Sequence, residues 1–214
     1  MEKTRKIGLK EILFMPLGCL LQSSPVIVIA LVVVLIFAGD YVYYNLNIDL
    51  PGYASPDTSD WNISNGFESI NTEEGFTWEI SYENVRTTSF NGLVRHASPI
   101  RENKFPMLSH DILITTGDYA DPSLVNTSVS NHHFVWRATG SDYPHGSINL
   151  LHTVPLNEEI RSQLTAIRNG QTVHIQGREI FDIRFYKDED KWNSKWQDAG
   201  CNTLLVTSVE IVFP

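Results

Sequence analysis

Thirteen consecutive apolar residues at 25–37, PVIVIALVVVLIF, run into AGDYVYY at 38–44, and no other stretch limits the possible fold as much. A helix over residues 25–44 rises 1.5 Å per residue and is about 30 Å long, the thickness of a bilayer's hydrocarbon core. Tyr41, Tyr43 and Tyr44 then fall at the far membrane interface, where amphipathic rings settle. The segment therefore predicts a single transmembrane helix. Lys3, Arg5, Lys6 and Lys10 precede it, whereas the first basic residue after it is Arg86, so the positive-inside rule places the N-terminus in the cytoplasm. Everything beyond residue 44 is expected across the membrane.

A cleaved signal peptide shares the basic start and the apolar core. A cut after Ala38 or Gly39 would, however, put Ile36 or Phe37 where a small residue is wanted, so the anchor is expected to stay. Cys19 precedes the apolar run instead of following it, which does not suit a lipidation site. Residues 1–24 read as a cytoplasmic or interfacial basic segment, too short and too interrupted by Pro16 and Gly18 to span a bilayer. Residues 45–65, rich in Pro, Gly, Ser, Asp and Asn, read as a tether. Residues 66–214 are left for one periplasmic domain of ordinary size.

From residue 51 onward there are 12 Lys+Arg against 21 Asp+Glu (16 minus 4 and 25 minus 4), so the whole formal charge of −9 belongs to this part. Such a surface repels phosphate backbones, which argues against nucleic-acid binding. Only Cys19 and Cys201 are present, and the topology keeps them apart, so a hydrophobic core rather than disulfides must hold the domain.

Segments rich in β-branched and aromatic residues recur at 76–82, 111–116, 132–138 and 147–154, between turn signals at Asn91-Gly92, Gly117-Asp118, Asp121-Pro122 and Tyr143 to Gly146. After Pro155, Leu156, Ile160, Leu164 and Ile167 recur at helical spacing; Asn157 and two glutamates suit the amino end, and Arg168-Asn169-Gly170 the carboxyl end. In QTVHIQGREIFDIRFY (171–186) the positions Val173, Ile175, Gly177, Glu179, Phe181, Ile183 and Phe185 alternate with mostly polar residues, which predicts one long strand bent at Gly177. Glu179 is expected beyond that bend, at a barrel mouth. A charged loop with Trp192 and Trp196 follows, and residues 203–213 close the chain as a strand. The expected fold is mainly β with one short helix, an OB-like Greek-key barrel, preceded by the single transmembrane helix.

No HExxH, CxxC, P-loop, dinucleotide or Gly-x-Ser-x-Gly motif occurs. His110 and Asp111 stand at one end of a predicted strand with Asp118 and Asp121 at the other, about 20 Å away, which suits solvated or turn-capping acids. His132 and His133 are adjacent, so on a strand they face opposite ways and cannot share one metal ion unless a loop carries them. No cofactor or metal is expected, and no catalytic residue is assigned. The binding residues expected are Trp192, Trp196 and Asp198, where aromatic side chains on a polar loop offer a contact surface; packing of the tryptophans as core is the competing expectation.

The runs SINLLHTVP (147–155) and GQTVHIQG (170–177), followed by Trp192, Ser194, Asp198, Gly200 and Cys201 ahead of a Val-rich strand, resemble uncharacterised bacterial envelope proteins with one N-terminal span and a small β domain. The likeness covers residues 106–212, departs from the pattern at Asn202, and implies a bacterial inner-membrane location without implying an activity. The expectation is thus a non-catalytic periplasmic binding or assembly module. It is held in the lipid bilayer by residues 25–44 and has a membrane or periplasmic protein as partner. Two alternatives stand beside it: a periplasmic hydrolase or metal-dependent enzyme using His110, Asp111, His132 and His152, and an accessory subunit acting through its span.

Overall fold

The computed structural model describes residues 58, 60–72, 75–102, 104–187, 192–197 and 202–212, with Ile29 and residues 32–34 as isolated positions. The chain divides into two units, Met1–Leu50 and Pro51–Pro214. In the first, Ile29 and residues 32–34 are helical and their apolar side chains are exposed. Among the described residues no helix is long and apolar enough to cross a membrane; the rest of the expected span at 25–44, with Tyr41, Tyr43 and Tyr44, lies outside them.

The second unit is mainly β. Its strands are β1 (Phe67–Asn71), β2 (Phe76–Tyr82), β3 (Thr88–Pro99), β4 (His110–Thr115), β5 (Val125–Ser130), β6 (His133–Ala138), β7 (Ile148–Pro155), β8 (Thr172–Lys187), β9 (Trp192–Trp196) and β10 (Asn202–Val212), with helix α1 (Glu158–Ala166) between β7 and β8. One sheet runs in the order β1-β2-β8-β10-β7-β4-β3, and β3 also pairs with β8. The pairings β3-β4-β7-β10-β8-β3 therefore form a closed ring of five strands, antiparallel throughout except for β7 with β10. Closing the ring satisfies both edges of every member.

Strand β8 makes closure possible by serving two sheets. Its first part pairs with β3 and β10, and its second with β2 and β9. At the bend a Cβ on Gly177 would sit 2.3 Å from the Leu205 carbonyl oxygen, so only glycine admits that approach. The expected alternation holds up to this point and then slips. A register shift against β2 at Ser81/Tyr82 turns Ile180 inward and leaves Phe181 52% exposed, contrary to its expected burial, while Ile183 and Phe185 stay buried. Asn91-Gly92, read as a turn, lies inside β3; Gly92 has φ +152 and its missing Cβ makes room for the Thr115 carbonyl oxygen of β4.

Two apolar clusters occupy opposite faces of the strands. One gathers Val94, Ile112, Ile114, Leu151, Val173, Ile175, Leu204 and Val206 under α1, which contributes Ile160 and Leu164, followed by Ile167. The helix begins where expected, with the Asn157 side chain accepting from the Ile160 amide at 2.9 Å. The other cluster joins Trp78, Ile80 and Tyr82 of β2 to Ile183 and Phe185 of β8, Val154 and Leu205, and to Phe105, Met107 and Leu108 from the β3–β4 loop. Thr58, in the stretch read as tether, is buried and donates to the Leu156 carbonyl at 2.7 Å, and Trp61 stacks on Tyr82.

Between β4 and β7 the chain makes a short 3₁₀ turn (Gly117–Ala120) and then the β5–β6 hairpin, a separate two-stranded sheet. Ser130 faces His133, leaving Asn131 (φ 50) and His132 (φ 61) as the two turn residues, the pattern of a type I′ hairpin. At its base Trp136 packs edge-on against Tyr119 and Tyr143, and Arg95 donates to the carbonyls of Tyr119 and Val125.

Candidate functional site

Register brings together polar side chains that are far apart in sequence. Asp111 on β4 lies opposite Ser98 on β3 and His152 on β7, and His152 lies opposite Thr203 on β10. Residues opposite each other share a face, so Ser98, Asp111, His152 and Thr203 form a polar row across four strands. That row lies on the face opposite α1, because Ile112, Leu151 and Leu204, each one residue away, pack under the helix.

His132 reaches the same row from the hairpin tip. Its Nδ1 lies 2.8 Å from Asp111 Oδ2, while His152 Nδ1 lies 2.7 Å from Asp111 Oδ1. An ionised carboxylate only accepts, so this geometry assigns a hydrogen to both Nδ1 atoms. The far nitrogen of His132, Nε2, is 3.3 Å from Glu102 Oε1 in the β3–β4 loop. The side chains of Asp111 and His152 are 6% and 3% exposed, His132 is 21% exposed, and Glu102 reaches solvent at 39%. A carboxylate this deeply buried is costly unless paired, and here two imidazoles pair it.

Trp196 closes one side. Its ring is edge-on to His132 at 5.4 Å, to His152 at 5.2 Å and to Phe105 at 6.0 Å, and its Nε1 donates to Thr203 Oγ1 at 2.9 Å. A further histidine stands nearby on β3: His96 shares the face of Ser98 and touches its hydroxyl at 2.8 Å. Burial lowers the His96 pKa below the ordinary histidine value, and the charge of Asp111 opposes that shift.

Of the four residues grouped by the enzyme alternative, the structure joins Asp111, His132 and His152 and leaves His110 out. His110 neighbours Asp111 on β4 and points the other way; its Nδ1 meets Ser109 Oγ at 2.7 Å and its backbone is held by the Thr153 hydroxyl. Burial first, and Arg161 second, push its pKa down to about 4. His133 is exposed on β6, so the two adjacent histidines do diverge. Asp118 accepts from the His145 amide and Asp121 caps Ser123, both local turn roles. Glu179, expected at a barrel mouth, is half-buried, and its carbonyl accepts from the Glu83 amide.

The residues expected to bind have separate fates. Trp196 belongs to the site, although it sits on strand β9 and is half-buried against core rather than carried by a loop. Trp192 starts β9 opposite Tyr186, while Asp198 lies outside the described residues, as does Cys201. Sequence reasoning missed Glu102, Thr203 and His96. The signal closest to hand was Asn131-His132 between two alternating segments, where Asn tolerates the positive φ of a tight turn.

No family model, curated protein or solved structure matches the chain.

Proposed function

We propose that the chain is a membrane-anchored, non-catalytic recognition module. Residues 25–44 hold it in a bacterial inner membrane with the N-terminus cytoplasmic, and an OB-like Greek-key barrel presents a binding face to a protein partner in the periplasm. One observation carries this reading. Taken in chain order, the ring strands β3, β4, β7, β8 and β10 pair as 1-2-3-5-4, with α1 between the third and fourth. OB-folds take their ligands on the face of strands 2 and 3, flanked by the 1–2 and 4–5 loops. Here that face carries Asp111 and His152, the first loop carries Glu102 and Phe105, and the second carries Trp196 on β9. A short tether raises the local concentration of such a face near a membrane partner without demanding high affinity.

The alternative of a metal-dependent enzyme is favoured by one observation of its own, the meeting of Asp111, His132 and His152. Ser98 and Thr203 add hydroxyl groups to the same polar row, one touching His96 and the other accepting from the Trp196 indole. The accessory-subunit reading, acting through the span alone, predicts that residues 51–214 are dispensable.

The test is matched co-isolation of the full chain in mild detergent, wild type beside Trp196→Ala and Glu102→Lys, with partners identified by mass spectrometry. Loss of one defined protein with either variant, at unchanged circular dichroism, supports recognition by this face. Glu102 is on the exposed rim, so its replacement does not depend on core packing. Retention of that protein by both variants, or by residues 1–50 alone, overturns it.

A further inference from the structure

We propose that Asp111, His132 and His152 bind one divalent transition-metal ion, of the zinc class, which pins the tip of the β5–β6 hairpin to the barrel face. The ion's role rests on the reading of this face as the recognition surface; its existence does not.

The donor set comes first. Two imidazoles and one carboxylate suit zinc and its first-row neighbours, whereas magnesium and calcium favour all-oxygen shells. One ligand atom from each of the three residues lies within 4.8 Å of the others. Metal bonds of about 2.0–2.2 Å separate ligand atoms by roughly 3–3.5 Å around a tetrahedral ion. Asp111 meets the two imidazoles through different oxygens, so around one ion a single oxygen ligates, its short contact opens slightly and the longest separation closes. The tip of a two-residue hairpin can supply that movement.

The far side of His132 is the second argument. An imidazole that ligates through Nδ1 carries its hydrogen on Nε2, and ligating histidines almost always donate that hydrogen to a carboxylate, carbonyl or water. Glu102 Oε1 stands 3.3 Å from His132 Nε2, in place to accept it. The proton balance is simple: the ion replaces the Nδ1 hydrogen of each neutral imidazole, and that hydrogen moves to Nε2.

The backbone is the third. His132 occupies a left-handed position at φ 61, where glycine would be unstrained. Asn131 and His132 are the two positive-φ residues other than glycine among those described. Strain of this kind persists where surrounding structure over-determines it, and it clusters at functional sites. Here it aims an imidazole at a buried carboxylate.

The experiment uses the full chain purified in mild detergent, stripped with a chelator and titrated with Zn²⁺ and with Co²⁺ as a visible-absorbing probe. One equivalent should bind, and the Co²⁺ spectrum should report nitrogen and oxygen ligands. His132→Asn, which keeps a residue tolerant of positive φ, should weaken binding more than about a hundredfold, and Glu102→Gln about tenfold to a hundredfold, as outer-shell groups do. Asp111→Asn should abolish binding; if that variant fails to fold, His132→Asn decides. His133→Asn and His145→Asn should change nothing. Zinc should also slow hydrogen exchange in residues 125–138 of the wild type and not of His132→Asn. Substoichiometric metal, or one equivalent indifferent to His132→Asn, overturns the proposal. Because these readouts need no partner, metal binding without partner capture would remove the recognition reading and leave the site standing.

Discussion

Strands β4, β7 and β10 present two buried faces with opposite chemistry, one residue apart. Ile112, Leu151 and Leu204 pack under α1, whereas Asp111, His152 and Thr203 line the other side. Each face also holds a buried histidine, His110 at 8% exposure and His152 at 2%. His110 meets the Ser109 hydroxyl and stays neutral at physiological pH; His152 meets a carboxylate that also holds His132. Burial is common to both, so burial does not mark the site. What marks it is a carboxylate that also takes a second imidazole from a third element, together with the strained turn that delivers that imidazole.

The largest effect that could break this comparison is a loss of packing. Leu204→Ala, on the apolar face, should cost about 3 kcal/mol, as large-to-small changes at fully buried positions do. Thr203→Val, its neighbour on the polar face, leaves the Trp196 indole without this acceptor and should cost about 1–2 kcal/mol. Urea midpoints of the full chain in detergent would measure both. Equal costs would mean that the polar face carries as much of the stability as the core, and the distinction would fall.

The second prediction separates the histidines by pH. The folded-state pKa of His110 is pushed from 6.5 to about 4, so between those values the unfolded chain binds the extra proton and the folded chain does not. Stability from this group is complete above pH 6.5 and declines as pH falls through the window, by about 3 kcal/mol at its foot. His110→Gln should remove that part of the acid slope; an unchanged slope between pH 6.5 and 4 would mean that His110 is not held neutral.

The elements set by local chemistry were legible in the sequence. Strand β2 matches the expected residues 76–82, and α1 starts at its Asn157 cap, because alternation and capping depend on near neighbours. Gly177 was readable as a bend for the same reason. Strand β3 was not, since Asn91-Gly92 carries a turn signature while its glycine serves a close approach to Thr115, a contact made only after β3 pairs with β4. Strand β9 was read as loop because its residues are polar; its pairing partner is the far half of β8. The site suffered most. Asp111 and His152 are 41 residues apart, and only the β4–β7 register makes them neighbours. His132 was assigned to a strand one residue too early, which hid the turn that aims it.

The smallest effect tests that turn. Replacing His132 by glycine creates Asn-Gly, the preferred pair for a type I′ hairpin, and relieves about 1 kcal/mol of left-handed strain. The same change removes the hydrogen bond to the buried Asp111 carboxylate, a charged acceptor, worth about 2 kcal/mol. Without metal the loss exceeds the gain by about 1 kcal/mol, so the unfolding midpoint of His132→Gly should lie a few degrees below that of the wild type. With zinc in excess the gap widens: the wild type gains stability in proportion to the logarithm of zinc concentration over its dissociation constant, and the glycine variant gains none. A glycine variant more stable than the wild type that still responds to zinc would make the hairpin tip a bystander, with Asp111 and His152 paired as on any satisfied polar face. A variant slightly weakened in the apo state and deaf to zinc would mean that the chain keeps histidine at a glycine position for its side chain.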